Sequence, residues 1–167
     1  LGGTNTGSNQ ISGAIDDNSA TAPISITKQD AGTWVLAGNN TYTGATTVSA
    51  GRLDLNGTNT SNITVAASAA FGGSGSTTGT LSLGGTNNFH VNASAGGFTV
   101  GGALTTTAGI TVFVDGAAGG DIVLLDYNEG IANTVDAAHF TLDGSVATGP
   151  RGASSPMTRP TDGLSSI

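Results

Sequence analysis

The chain has 167 residues, and Gly, Thr, Ala, Ser and Asn together make up 105 of them, while charged residues are 9% and Cys is absent. This composition excludes long surface helices, because Gly, Thr, Ser and Asn are poor helix formers. Four basic residues against eleven acidic ones, a net charge of −7, exclude nucleic acid as a partner. No apolar run reaches the length of about 18 residues that a membrane-spanning helix needs, and the lack of Cys rules out disulfides, thiol catalysis and Cys-ligated metals.

The first residue is Leu1, and the chain opens with neither Met nor a basic-then-apolar leader. We therefore expect a processed or excised segment of a longer protein. Abundant Thr, Asn and Gly without Cys is typical of a secreted bacterial surface protein.

Short segments of alternating apolar and polar residues recur along the whole chain. They are Ile24–Ile26, Trp34–Leu36, Thr47–Val48, Leu53–Leu55, Ile63–Val65, Leu81–Leu83, Phe89–Val91, Phe98–Val100, Ile110–Val114 and Ile122–Leu125. Alternation with period two predicts half-buried strands, and the Gly- and Asn-rich residues between them predict turns. The strands are too short and aromatic residues too few for a sandwich or barrel, so an all-β solenoid with a thin aliphatic core is favoured.

The spacing of apolar residues suggests one coil of about 20 residues. Positions that look equivalent recur at nearly this interval, from Leu36 to Leu55, from Val48 to Val65 and from Leu83 to Val100. The longer interval between Leu55 and Leu83 breaks the period, and we assign the excess to a loop in the Gly-rich stretch 71–76. The Ala-rich run at residues 66–70 is interpreted as a tight corner rather than a turn of helix.

The stretch from Gly32 to Gly57 resembles the autotransporter-associated β-strand repeat, which occurs in the passenger regions of secreted bacterial surface proteins. The positions that carry the resemblance are Gly32, Thr33, Leu36, Gly38, Asn40 to Gly44, Thr46 to Val48, Gly51, Leu53 and Leu55. Trp34 and Ala45 depart from the usual aliphatic residue and the usual Gly. The resemblance continues less sharply over 63–79 and 99–126. It implies a right-handed parallel β-helix on a bacterial surface, where the repeat supports secretion and display and has no catalytic residues.

The expected organisation is a β-helix segment over residues 1–145, with the best repeat match at 32–57 and the closing coils and a C-terminal cap at 99–145. Solenoid ends expose sheet edges and need such a cap. Residues 146–167, rich in Pro and Ser, are expected to form an extended tail.

We predict no catalytic, cofactor-binding or metal-binding residues. His90 is expected to occupy an outward position between two core residues, and His139 to be equally structural. A pectate-lyase-like site combines carboxylates with Arg or Lys on the same face, and Arg52 near Asp54 is the only close candidate for such a pair. Trp34 could stack on a sugar, but core burial is the preferred interpretation.

The aspartates could act as paired carboxylates in glycoside hydrolysis or could bind Ca²⁺. The simpler explanation is that they are solvent-exposed residues in turns. This group comprises Asp16, Asp17, Asp30, Asp54, Asp115, Asp121 and Asp126. The stretch Gly72–Ser76 lacks the Asp of a Ca²⁺-binding nonapeptide, the Lys of a phosphate loop, and the final Gly of a nucleophile elbow around Ser74.

The favoured function is a non-catalytic structural segment that acts as stalk, scaffold or adhesive surface, located outside the cell or on its surface. One alternative is a fibre subunit that stacks end to end, and another is a polysaccharide-binding or pectate-lyase-like enzyme. The expected partners are further copies of the chain or host and cell-surface glycans, with no nucleic acid, no membrane span and no cofactor.

Overall fold

The computed structural model describes residues 1–7, 9–92, 94–115, 125–128 and 135–143. The predicted tail at 146–167 and part of the predicted cap lie outside these residues. No α-helix occurs in the part of the chain that is described, and accordingly no helix there could cross a membrane.

Sixteen strands lie within the described residues, and the longest of them is β14. In chain order they are β1 (Asn9–Ile11), β2 (Ile26–Lys28), β3 (Thr33–Leu36), β4 (Thr46–Val48), β5 (Arg52–Leu55), β6 (Thr58–Asn59), β7 (Ile63–Val65), β8 (Ala70–Gly72), β9 (Ser76–Thr77), β10 (Leu81–Leu83), β11 (Asn88–Asn92), β12 (Phe98–Val100), β13 (Leu104–Thr106), β14 (Ile110–Asp115), β15 (Leu125–Tyr127) and β16 (Phe140–Leu142).

These strands form three sheets in which every strand pair is parallel. The seven-stranded sheet has the order β1-β3-β5-β8-β11-β14-β16, the five-stranded sheet β13-β10-β7-β4-β2, and the four-stranded sheet β15-β12-β9-β6. From β4 to β15 the chain visits the five-, seven- and four-stranded sheets in a fixed rotation. Each strand therefore pairs with the strand one coil away, and the predicted all-β solenoid of parallel strands is confirmed.

The register supports two of the predicted spacings. Leu36 lies opposite Leu55 in the seven-stranded sheet, and Val48 lies opposite Val65 in the five-stranded sheet. Both are separations of one coil, so the thin aliphatic core follows directly from the pattern in the sequence.

The third spacing was wrong. Leu83 lies in the five-stranded sheet opposite Val65, whereas Val100 lies in the four-stranded sheet opposite Thr77. An interval between two different sheets does not measure a coil. The same error produced the apparent break between Leu55 and Leu83, because it joined a residue of β5 to one of β10 on different sheets.

The Gly-rich stretch 71–76 is not an extra loop. Its two ends belong to β8 and β9, and the coils on either side of β8 are equally long, since Leu53 pairs with Phe71 and Phe71 with Phe89. A longer coil comes one turn later, because the partner of Phe89 on β14 is Val112. The inserted residues therefore lie after β11 rather than in the Gly-rich stretch.

The interior is a column of buried aliphatic side chains with an aromatic cluster near its middle. The ring of Phe71 makes an edge-to-face contact with Phe98 at 5.2 Å between centroids and lies 6.3 Å from Phe89. All three rings are fully buried. Such aromatic contacts add to the hydrophobic gain from burial alone.

The residues of the recognised repeat build one corner of a coil through buried polar contacts. The hydroxyl groups of Tyr42 and Thr46 lie 2.6 Å apart, and that of Thr46 lies 2.7 Å from the hydroxyl of Ser61 in the next coil. The side chain of Asn40 donates to the carbonyl oxygens of Gly38 and Thr58. Because polar groups buried in a core need partners, the Asn, Tyr and Thr of the repeat have a structural reason to be there.

Close backbone packing between coils explains two of the glycines. A Cβ on Gly57 would lie 2.0 Å from the carbonyl oxygen of Gly38 in the preceding coil. Gly51 has a φ of 66°, a backbone conformation that residues other than Gly and Asn rarely adopt. The Ala-rich run at 66–70 is a corner, as predicted, with Ser68 at a φ of 64° before β8 begins.

The described part of the predicted cap comprises a 3₁₀ turn at Ala137–His139 followed by β16, the last strand of the seven-stranded sheet among the described residues. The side chain of Leu142 in this strand is 54% exposed. This segment extends the seven-stranded sheet by one strand.

Candidate functional site

Two of the three outward faces consist mainly of hydroxyl side chains. The central outward row of the five-stranded sheet runs in register through Thr27, Thr47, Thr64, Ser82 and Thr105. The corresponding row of the four-stranded sheet runs through Thr58, Ser76, Thr99 and Asp126. Apart from Asp126, these side chains are short and uncharged, and they present few groups that could hold a ligand in a defined orientation.

The seven-stranded sheet is different, because charged and aromatic side chains meet on its outward face. The register places Asp54, Gly72, His90 and Phe113 in one row across β5, β8, β11 and β14. Arg52 is the first residue of β5, and Asp115 ends β14. We call Arg52, Asp54, His90, Phe113 and Asp115 the Arg52 cluster.

The guanidinium group of Arg52 holds this cluster together. Its Nε donates to Oδ1 of Asp54 at 2.8 Å, and its Nη1 donates to Nδ1 of His90 at 2.9 Å. Its Nη2 lies 3.9 Å from Oδ2 of Asp115, whose side chain is 62% exposed. Arg52 therefore links two strands that are not neighbours in the sheet, with β8 between them.

His90 is held in its neutral form by its surroundings. Nδ1 can accept from Arg52 only when it has no proton, so the proton of the neutral ring lies on Nε2. Burial lowers the pKa of His90, and the positive charge of Arg52 lowers it further, while Asp54 and Asp115 oppose these effects. The ring also stacks on Phe113, with centroids 4.7 Å apart and planes 12° from parallel.

Gly72 makes room for the link between Arg52 and His90. It occupies the position between Asp54 and His90 in the outward row, and a Cβ there would lie 2.1 Å from the backbone oxygen of His90. The missing side chain leaves a gap above β8, which Arg52 spans to reach His90.

The structure brings together some of the predicted site residues and separates others. The pairing of Arg52 with Asp54 is confirmed, and His90 lies outward between the buried Phe89 and Val91, as predicted. Trp34 is apart from them, because its partly buried ring packs against the core and its Nε1 donates to the carbonyl oxygen of Gly2. Trp34 is therefore not part of the Arg52 cluster, and its packing agrees with the preferred interpretation as a core residue.

Sequence reasoning missed three members of the cluster as partners of Arg52, namely His90, Phe113 and Asp115. They lie two and three coils away from Arg52 along the chain, and only the coil register aligns them. The sequence signal that could have found them is the even spacing of Asp54, Gly72 and His90, which the register places in one row.

Other polar residues serve the fold. The carboxylate of Asp17 accepts from the backbone N of Ile24 at 2.7 Å and from the backbone N and the hydroxyl of Thr43, and these hydrogen bonds lower its pKa. Asp16 accepts from the hydroxyl of Thr41 at 2.5 Å. The interpretation of these aspartates as turn residues is thus supported, and no group of three metal-ligating side chains occurs among the described residues.

Lys28 is a buried cation that the sequence did not indicate. Its side chain is fully buried, and its Nζ donates to the carbonyl oxygens of Gln29, Asp30 and Ala50 at 2.7 to 3.0 Å. Burial lowers its pKa. The three carbonyl groups satisfy the ammonium group, so its role is to close the corner before β3 and β5.

His139 also has a structural contact. Its Nδ1 lies 2.9 Å from the hydroxyl of Thr106 and so ties the 3₁₀ turn before β16 to β13. This contact agrees with the structural role that we predicted.

Part of the chain has counterparts among known proteins. Residues 26–55 match the family model described as Passenger-associated-transport-repeat. A 65-residue segment is 48% identical to the adhesin BmaC autotransporter of Brucella suis biovar 1 (strain 1330), and the match covers 38% of this chain and 2% of that protein. No solved structure matches significantly. The chain, a parallel β-solenoid, thus contains at residues 26–55 a segment that matches the passenger-associated-transport-repeat.

Proposed function

We propose that this chain is a non-catalytic structural segment of a surface-displayed bacterial protein, in which the solenoid is the scaffold and the outward face of the seven-stranded sheet is the adhesive surface. The observation that carries the proposal is the regular order in which the described strands from β4 to β15 join the three parallel sheets. Stacked coils of this kind extend in one dimension and present long side faces to partners.

Location and partners follow from the same reasoning. The passenger repeat and the resemblance to an autotransporter adhesin support display at the bacterial surface. Two of the faces offer mainly hydroxyl rows, whereas the seven-stranded sheet offers ordered charged and aromatic groups. We therefore assign contact with host or cell-surface glycans to that sheet.

The test is adherence of particles that carry the purified chain. Beads coated with the chain are expected to adhere to glycan-coated surfaces, and the double variant Arg52→Ala/His90→Asn is expected to lose most of this adherence. Thr64→Ala, on the outward row of the five-stranded sheet, is the matched control and should adhere like the wild type. Equal adherence of all three proteins would refute the adhesive role of the seven-stranded sheet.

The absence of catalysis is tested separately. The purified chain should release neither reducing ends nor unsaturated products from polygalacturonate or other plant and microbial polysaccharides. Turnover that purification does not remove, and that Asp54→Asn abolishes, would overturn the structural assignment.

End-to-end assembly is a second candidate function. It is favoured by β16, which has no partner beyond β14 among the described residues and exposes 54% of Leu142, because unpaired sheet edges are templates for further strands. Light scattering at increasing concentration should show growth that Leu142→Lys suppresses. A wild-type chain that stays monomeric at high concentration would exclude this candidate.

A further inference from the structure

The geometry points to the Arg52 cluster as a binding site for a neutral saccharide, which it would hold through the hydroxyl groups of one sugar ring. This inference rests on the proposed adhesive role of the seven-stranded sheet and specifies the site and the ligand class. The structure offers three observations for it: unused hydrogen-bonding groups, their rigid placement and the charge of the site.

The cluster has both donors and acceptors left over. Within the described residues, Arg52 uses Nε and one Nη1 hydrogen, and its Nη2 is too far from Asp115, at 3.9 Å, for a hydrogen bond. In the same part of the chain, His90 has its Nε2 proton available, and only Oδ1 of Asp54 is bonded. A sugar hydroxyl both donates and accepts, so it can accept from Arg52 or His90 and donate to a carboxylate.

These groups are already ordered before any ligand arrives. The guanidinium group of Arg52 is held by two hydrogen bonds, and the ring of His90 by one hydrogen bond and the stack on Phe113. Fixing side chains on binding costs conformational entropy, and a site that is fixed beforehand avoids that cost. The half-buried ring of Phe113 adds an apolar surface beside the polar groups, a combination that is common in ligand sites.

Charge selects among possible ligands. One guanidinium group faces two carboxylates, and His90 is neutral, so the site carries a net negative charge. A uronic or sialic acid would bring a further negative charge against Asp54 and Asp115. A neutral hexose meets no such repulsion.

Nuclear magnetic resonance of the imidazole groups tests this inference directly. The chain has two His residues, so the spectrum of His90→Asn assigns the His90 signals. Methyl α-D-mannopyranoside and methyl β-D-galactopyranoside are titrated as neutral probes, and D-galacturonate as the anionic probe. We expect at least one neutral probe to shift the His90 signals saturably, with millimolar affinity, and galacturonate to bind about tenfold more weakly or not at all.

Two variants and one control complete the experiment. Asp54→Asn keeps the shape of the side chain but loses a charged acceptor, and it should weaken binding of the neutral probe about tenfold. Arg52→Ala should abolish binding, and Thr64→Ala should bind like the wild type. Circular dichroism confirms that each variant is folded, and Asp54→Asn still provides the test if Arg52→Ala does not fold.

Three results would overturn the inference. They are His90 signals that neither neutral probe shifts saturably, binding that Asp54→Asn leaves unchanged, and galacturonate binding equal to that of the neutral probes. If bead adherence persists and still requires Arg52 and His90, the adhesive role survives and only the saccharide assignment fails. If beads coated with the wild-type chain do not adhere either, the proposed function itself fails.

Discussion

The buried contact between Tyr42, Thr46 and Ser61 makes a quantitative prediction possible. Thr46 is 1% exposed, and its hydroxyl lies within hydrogen-bond distance of the hydroxyls of Tyr42 and Ser61. Thr46→Val replaces that hydroxyl with a methyl group of similar size. The change therefore removes two hydrogen bonds and creates almost no cavity.

The expected cost follows from what each partner keeps. The hydroxyl of Tyr42 has no other hydrogen bond among the described residues, whereas Ser61 still accepts from Nδ2 of Asn59. Leaving one buried polar group without a partner costs about 1–3 kcal/mol. We expect Thr46→Val to lower the free energy of unfolding by about 2 kcal/mol, which lowers Tm by about 4–8 °C in a chain of this size.

Tyr42→Phe provides the decisive comparison. Alone, it removes one hydrogen bond and leaves Thr46 bonded to Ser61, so it should cost about 1 kcal/mol. Combined with Thr46→Val, it leaves no unpaired Tyr hydroxyl. The double variant should thus be about 1 kcal/mol more stable than the sum of the single changes predicts, as expected for residues in contact.

Urea denaturation followed by circular dichroism measures these values, with Thr47→Val as the matched control. Thr47 is the next residue of β4 and points outward, so the same chemical change there should stay within about 0.5 kcal/mol of the wild type. A Thr46→Val variant as stable as the Thr47→Val variant would refute the reasoning. So would a double variant whose cost equals the sum of the two single costs.

Three further predictions concern pH, close packing and the N-terminal loop. The pKa of His90 is lowered in the folded chain, so its contribution to the free energy of unfolding should be fully present above the unfolded pKa of about 6.5 and decline as the pH falls toward the folded pKa. Urea midpoints at pH 7.5 and 5.5 should therefore differ more in the wild type than in His90→Asn. Gly57→Ala should cost about 1–3 kcal/mol, since its Cβ would lie 2.0 Å from a backbone oxygen, whereas Gly13→Ala, which meets nothing within 4 Å, should be neutral in the same denaturation assay. Asp17→Asn should speed amide hydrogen exchange in the loop that Asp17 anchors, and unchanged exchange would contradict this role. Because hydrogen bonds to the carboxylate lower its pKa, the wild-type loop should begin to loosen in the same way as the pH falls below about 4.

Local pattern alone was enough to predict the fold class. Alternation of period two marks short strands, and one aliphatic side chain per inward position fills a narrow interior. Leu36 with Leu55 and Val48 with Val65 lie in register because the core selects the same residue type at the same place in each coil. The passenger repeat was recognisable in the sequence for the same reason, since Asn40, Tyr42 and Thr46 are required by the corner that they build.

The tertiary structure alone decided which sheet each strand joins and which distant side chains meet. Leu83 and Val100 looked equivalent because hydrophobic spacing does not distinguish one wall of the solenoid from another. The Arg52 cluster depends on that assignment: a shift of one residue in the register of β11 would turn His90 toward the core. The sequence by itself determined that the chain forms a thin solenoid with small-residue walls, while the register of parallel strands decided where charge and aromatic rings would come together.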